Sequence, residues 1–272
     1  MTGPFNPTPA KPADGLCWVT GASSGIGAKL VERLVRQGWR VAATARSHDT
    51  LKALEDAHPG QVFAAPADVS DSEAVKDAVA RIEAEHGPIA RAILNAGIYL
   101  PIDLPAARYE DYAKTFDVNL KGSAACLCAV LPGMAERQSG QIAFVSSATA
   151  FGGMPTASAY GASKAALVNM AEACRIELYR HGVLIQAVTP GFVDTPAQDD
   201  NAFPKPFMIT ADTAAKRIVS GLKTKRFEIT FPRRFTWMLK AIYALPRGWH
   251  INLVRRQTGW DKPAGVTTDD QP

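Results

Sequence analysis

Short apolar runs alternate with longer stretches of helical spacing along most of the chain, and few architectures accept that pattern. The runs are GLCWVT (15–20), WRVAATA, VFAAPADV, ARAILNAG, QIAFVSS and VLIQAVTPG, with FEITF as a candidate seventh. Each is brief and largely apolar, as strands buried on both faces read. Helical stretches fill the gaps. One covers about 25–37, and another, opened by a capping box of Ser70 and Glu73, runs to about His86. A long one covers roughly 109–138, where Pro132 is expected to bend or end it. A fourth runs to about His181, with Gly182 as its C-cap. This alternation predicts an α/β fold: a doubly wound, Rossmann-type parallel sheet of about seven strands with helices on both faces.

The first strand meets its helix at TGASSGIG (20–27). Gly21, Gly25 and Gly27 form G-x-x-x-G-x-G, a variant of the dinucleotide fingerprint. One glycine permits the tight turn and another lets backbone approach a pyrophosphate, which the free N–H groups of the helix N-terminus then bind. Ser23 and Ser24 add hydroxyl donors. The second strand ends Ala45-Arg46, and Asp49 lies too far on to serve as its acidic tip. NAD calls for a carboxylate there to hold the ribose 2′-hydroxyl, whereas Arg46 suits a 2′-phosphate. NADP(H) is therefore expected over NAD(H).

AYGASKAAL (159–167) places Tyr160 and Lys164 four residues apart, on one face of a helix. An ammonium near a phenol favours phenolate and lowers its pKa. The pair is therefore expected to exchange a proton near neutral pH.

Together these features resemble the short-chain dehydrogenase/reductase family, over about residues 15–195. TGASSGIG, with Ile26 among its residues, matches the family's cofactor turn. ADV (67–69) resembles its adenine-contacting pair, here Asp68 and Val69. NAG matches the motif closing the fourth strand, here Asn95, Ala96 and Gly97. DVN (117–119) supplies the active-site asparagine, Asn119, and Ser147 stands thirteen residues before Tyr160. PGFVDT (190–195) resembles the stretch that touches the nicotinamide, through Pro190, Gly191, Val193 and Thr195.

The resemblance implies a hydride transfer interconverting a carbonyl and a hydroxyl group. Tyr160 exchanges the proton, and Lys164 lowers the tyrosine pKa and holds the nicotinamide ribose. Ser147 bonds the substrate oxygen, and Asn119 holds a water that relays protons. It also implies a homodimer or homotetramer paired through the helices bearing Asn119 and Tyr160. Two other readings stay open: an NAD-linked alcohol dehydrogenase, and an NADP-binding regulatory module without turnover.

Composition removes other classes. A net charge of +4 over 272 residues is too small to imply nucleic acid. Cys17, Cys126, Cys128 and Cys174 form no C-x-x-C and no metal-ligand cluster, and read as small buried thiols of a reducing cytoplasm. No run approaches a membrane span. Residues 1–13 lack a signal-like apolar core and read as a disordered lead-in, as do 261–272 as a tail. Residues 14–260 read as one domain, with a substrate flap over about 191–222. In the flap Phe203, Pro204, Pro206, Phe207 and Met208, facing Phe151 and Met154, suggest a lipophilic ketone or alcohol.

The segment over about 223–258 is strongly basic, with Glu228 its only acid. Phe235, Trp237, Met238, Leu239, Ile242 and Tyr243 are spaced for a short amphipathic helix before Pro246. Such a helix can cover the cleft, pair subunits, or lie peripherally on the inner surface of an anionic membrane.

Overall fold

A computed structural model of the chain describes residues 6–196 and 205–261. The elements run β1 (Leu16–Thr20), α1 (Gly25–Val35), β2 (Val41–Thr44), α2 (His48–Ala57), β3 (Val62–Ala64), α3 (Ser72–His86), β4 (Ile89–Leu94), α4 (Tyr109–Phe116) and α5 (Gly122–Glu136). They continue β5 (Gly140–Val145), α6 (Ser158–Glu177), β6 (Val183–Pro190), β7 (Val193–Asp194), β8 (Ile209–Thr210), α7 (Ala211–Gly221), β9 (Glu228–Phe231), α8 (Arg233–Tyr243) and α9 (Arg247–Gln257). Seven strands form one parallel sheet in the order β3-β2-β1-β4-β5-β6-β9, and β7 pairs with β8 in a small ribbon of its own.

Strand periodicity sorts the core into two layers. Cys17 and Val19 of β1 point to one face, where they join Leu30 and Leu34 of α1 and Ile218 of α7. Leu16 and Trp18 point to the other, among Val79 of α3, Met134 of α5 and Leu167 of α6. The order reverses between β1 and β4, so their C-terminal ends diverge and leave a crevice.

Several local expectations are corrected. The N-cap of α3 is Asp71, whose carboxylate accepts from the backbone N–H groups of Glu73 and Ala74, both at 3.1 Å. Ser70 is drawn instead to the Asp68 carboxylate, at 2.7 Å, a stronger acceptor than the groups of a capping box. α5 continues through Pro132 to Glu136, held by Val130 and Met134 buried on either side of it. The stretch Tyr109–Glu136 is long and apolar enough to span a membrane by length and composition, contrary to the sequence reading. In the fold it flanks the sheet, with Cys126, Leu127, Val130 and Met134 in the core.

Residues 6–13, expected to be disordered, strap across the sheet. Arg91 of β4 is almost wholly buried and has no carboxylate against it among the described residues. Its guanidinium donates to Gln141 Oε1 and to the carbonyl of Ala10, and lies 4.4 Å from the Trp39 ring centroid. A buried cation needs acceptors, and the N-terminal segment supplies one. Residues 211–221, expected within the flap, form α7, which joins the body through buried Ala214, Ala215 and Ile218 and the Arg33–Asp212 ion pair. Of the thiols, Cys17 and Cys126 are buried, but Cys174 is only half-buried and Cys128 is exposed.

Candidate active site

An open cleft of about 1500 Å³ lies over the C-terminal ends of β1, β4, β5 and β6. It is lined by Gly21, Ser23, Ser24, Gly25 and Ile26, by Arg46, Asp68 and Val69, and by Asn95, Ala96 and Gly97. Ser147, Tyr160, Lys164, Pro190, Gly191, Val193 and Thr195 also face it. Gly27 and Asn119 do not line it and act from behind.

The glycine turn is built for close approach. Gly21 and Gly25 have φ of 66° and 52°, in the left-handed region that favours glycine. A Cβ on Gly27 would sit 2.0 Å from the Gly21 carbonyl oxygen, so only glycine lets α1 lie this near β1. Asn95 ties the turn to β4: its amide donates to the carbonyls of Thr20 (3.0 Å) and Gly21 (3.3 Å). That side chain is thereby spent on protein, so Asn95 shapes the cleft wall. The first turn of α1 carries no acidic residue, and Ser24 makes no side-chain cap. Its backbone N–H groups are left to an anion, and a dinucleotide pyrophosphate fits that cradle.

At the far end Arg46 is exposed beside Asp68. The Asp68 carboxyl is held below its usual range by hydrogen bonds from the Ser70 hydroxyl and N–H, with Arg46 adding attraction. No acid caps the tip of β2, so this end presents the Arg46 guanidinium, in no ion pair within 4 Å among the described residues, beside a fixed carboxylate.

The other end holds the reactive side chains. Tyr160 opens the first turn of α6 and Lys164 follows one turn later, its Nζ 5.6 Å from the tyrosine ring centroid. The Lys164 ammonium is buried and donates to the Val145 carbonyl at 2.9 Å. Ser147 leaves β5 in extended conformation, and its hydroxyl accepts from Thr149 N–H at 3.2 Å. Tyr99 packs edge-on against Tyr160, ring centroids 5.0 Å apart, and its hydroxyl meets Thr156 Oγ1 at 3.2 Å.

Asn119 sits in a π-helical turn, Asp117–Lys121, between α4 and α5, a distortion frequent at functional sites. Its Oδ1 accepts from Ile98 N–H, and its Nδ2 donates to the Ile98 carbonyl and to Ser163 Oγ. Both amide hydrogens are therefore committed to protein. The side chain pins the loop after β4 to α6, and one lone pair of Oδ1 is left for a water.

Charge states depart from the sequence expectation. Burial pushes the Tyr160 hydroxyl up to about 12; the hydrogen bond with Ser147 pulls it down and Tyr99 pushes it further up. Lys164 is not what tunes it: burial brings that ammonium down to about 8. The chain's own field thus keeps Tyr160 protonated at neutral pH, the state a proton donor needs, with a cation below it that titrates near pH 8. Above that pH Lys164 becomes neutral and its field is lost. For carbonyl reduction, kcat/KM is expected to hold at lower pH and fall as pH rises through about 8. A pH–rate profile checks this; a rate unchanged to pH 10 or so would exclude Lys164 as the titrating group.

Some lining residues were missed. Thr149 Oγ1 is a buried hydroxyl oxygen without a hydrogen-bond partner among the described residues, and Thr149 lines the cleft. Phe151, expected on the cleft wall, instead packs with Phe235 and Leu239 under the Lys240 ammonium. Of the flap, Pro206 and Met154 opposite it line the cleft, while Phe207 and Met208 face solvent. Phe203 and Pro204 lie outside the described residues. Phe192 and, from α8 and α9, Phe235, Met238, Leu239, Ile242, Leu253 and Val254 add apolar lining.

The chain is 35% identical over 231 residues to an uncharacterized oxidoreductase of Myxococcus xanthus, covering 84% of this chain and 91% of that protein. It is 34% identical over 177 residues to the NADP-dependent 3-hydroxy acid dehydrogenase YdfG of Salmonella typhi, covering 64% and 71%. The structure superposes on a serine dehydrogenase in its closed form with NADP+ at a TM-score of 0.72, with 25% identity, covering 79% and 94%. Residues 16–204 match the sequence family described as short chain dehydrogenase. That match takes in the glycine turn, Asn119, Ser147, Tyr160 and Lys164 in one frame, and the chain belongs to the short chain dehydrogenase family of oxidoreductases.

Proposed function

We propose that the protein interconverts a carbonyl and a hydroxyl group on a lipophilic small molecule, with NADP(H) as cofactor. The observation that carries this is one cleft holding the glycine cradle at one end and a protonated phenol between Ser147 and Lys164 at the other. The bound nicotinamide supplies the hydride and, once oxidised, a positive charge. Tyr160 gives its hydroxyl proton to the carbonyl oxygen. Ser147 donates a hydrogen bond to the same oxygen and stabilises charge as it develops. Lys164 holds positive charge beneath the phenol, and Asn119 keeps α6 in place through Ser163.

Arg46 supports NADP(H) over NAD(H). Removing one exposed charge-assisted pair is expected to lower kcat/KM for NADPH about tenfold in Arg46→Ala. The value for NADH should stay unchanged, and kinetics with both cofactors read the difference. A wild-type preference for NADH would refute the assignment. Substrate class is supported by Met154, Phe192, Met238, Leu239 and Ile242 along the cleft. A panel of steroid, aromatic and acyl thioester carbonyls, followed by NADPH absorbance, tests it.

Pairing into a homodimer or homotetramer through the helices bearing Asn119 and Tyr160, the α4–α5 stretch and α6, is part of the same reading. Tyr109, the first residue of α4, and Ile176, near the end of α6, stand exposed. The proposed location is the cytoplasm.

A further inference from the structure

The C-terminal helices carry an unusual surface. From Pro232 to Trp260 there are six basic residues, Arg233, Arg234, Lys240, Arg247, Arg255 and Arg256, and no acid. Only Lys240 has an acidic partner among the described residues, Glu228; the five arginines face none. α8 buries Phe235, Thr236 and Leu239. Its opposite face shows Trp237 and Met238, and Leu245 stands exposed just beyond its end. Trp249 and Ile251 stand out from the flanks of α9, the tryptophan 69% exposed. Two tryptophans and three aliphatic side chains in solvent, beside five arginines with no acidic partner among the described residues, are not what a soluble surface usually carries.

The fold does not account for three of the arginines. Arg233 and Arg234 are the first two residues of α8 and Arg247 is the first of α9. A helix N-terminus carries positive partial charge, so cations there oppose it. Neither helix has an acid in its first turn. These three arginines oppose the helix dipole and have no acidic partner among the described residues, so their attraction is free to point outward, whereas Arg255 and Arg256 lie in the last turn of α9 and suit it.

The exposed face also adjoins the cleft. Met238 lines the cleft while remaining 46% exposed, and Ile242, Leu253 and Val254 continue apolar lining inward from it. We propose that the α8–α9 face docks on the surface of an anionic lipid bilayer. Trp237, Met238, Leu245 and Trp249 enter the headgroup boundary, the arginines pair with lipid phosphates, and the cleft mouth opens toward the lipid. Docking rests on these two helices alone and does not depend on the reaction assigned to the cleft.

The full chain is sedimented with vesicles of phosphatidylcholine containing phosphatidylglycerol, and with phosphatidylcholine alone, at low and high salt. Co-sedimentation with the anionic vesicles at low salt, weakened by salt, is expected. A blue shift of tryptophan emission on binding should vanish in part with Trp237→Ser. Each arginine near an anionic surface is worth about fivefold in partitioning, so R233E/R234E should bind at least about tenfold more weakly. These carboxylates suit a helix N-terminus, so the variant should melt no lower than wild type, and reduction of a water-soluble ketone should be unchanged. Absence of binding to anionic vesicles, equal binding by R233E/R234E, or self-association through this face that Trp237→Ser disrupts without any vesicle binding would each overturn the proposal.

Discussion

Tyr160→Phe is expected to lower kcat for carbonyl reduction by about a thousandfold, the range a positioned general acid contributes, and to leave NADPH affinity unchanged. The hydroxyl is the only atom removed. The Phe ring keeps its edge-on contact with Tyr99, and the α6 backbone keeps Ser163 Oγ on the residue 160 carbonyl. The glycine cradle stands at the opposite end of the cleft and is untouched. Steady-state kinetics should therefore show loss in kcat with little change in cofactor binding, read by fluorescence titration. A variant turning over at the wild-type rate would remove Tyr160 as proton donor. A Ser147→Ala variant should lose less, because the phenol and its proton remain.

Gly27→Ala should cost both stability and cofactor binding. The new methyl would lie 2.0 Å from the Gly21 carbonyl oxygen and 2.8 Å from Asn95 Nδ2. Neither is the free end of a flexible side chain: Gly21 is backbone, and Asn95 is held by Thr20 and Gly21. α1 must back away from β1, and the turn that presents N–H groups to a pyrophosphate moves with it. Overpacking of this kind costs about 1–3 kcal/mol, or more where backbone must shift. For a chain this size each kcal/mol lowers Tm by about 2–4 °C. A fall in Tm of about 5 °C with loss of NADPH binding is expected. Gly248→Ala is the control: nothing lies within 4 Å of its Cβ position in the first turn of α9, and the variant should melt no lower than wild type. Equal melting of Gly27→Ala and wild type would show that the close approach at Gly27 is not needed.

The sheet and the two ends of the cleft were readable because each rests on a local pattern. Continuous apolar runs mark strands buried on both faces, and glycines at 21, 25 and 27 mark a turn that no other residue fits. The Tyr160–Lys164 spacing marks one helix face whatever surrounds it. What escaped depends on contacts distant in sequence. The buried place of Arg91 is set by Ala10 and Gln141, 81 and 50 residues away. Residues 6–13 are tied to the body by the Ala10 carbonyl, by the Ala10 N–H on Gln141 Oε1 and by Asn6 accepting from Lys225. Residues 211–221 looked like flap because their apolar stripe names no partner; in the fold it lies in the sheet-face core beside α1.

The charge of the site was misread from spacing for the same reason. A lysine four residues from a tyrosine suggests a lowered phenol pKa, but burial dominates both groups, raising the phenol and lowering the ammonium. Phe151 was placed on the cleft wall by position in sequence, whereas α8, not foreseeable from that stretch, covers it. Ser70 was taken for a cap because its spacing to Glu73 is right; the nearby carboxylate of Asp68 holds its hydroxyl more strongly.

The most direct test follows a label. The purified protein is incubated with NADPH deuterated at C4 and the lipophilic ketones of the panel, and the alcohols are analysed by mass spectrometry. One deuterium on the carbinol carbon is expected from the wild-type protein, with at most a trace from Tyr160→Phe. Deuterated alcohol formed equally by both proteins, or none from any ketone while NADPH is bound, would contradict proton donation from Tyr160 coupled to reduction in this cleft.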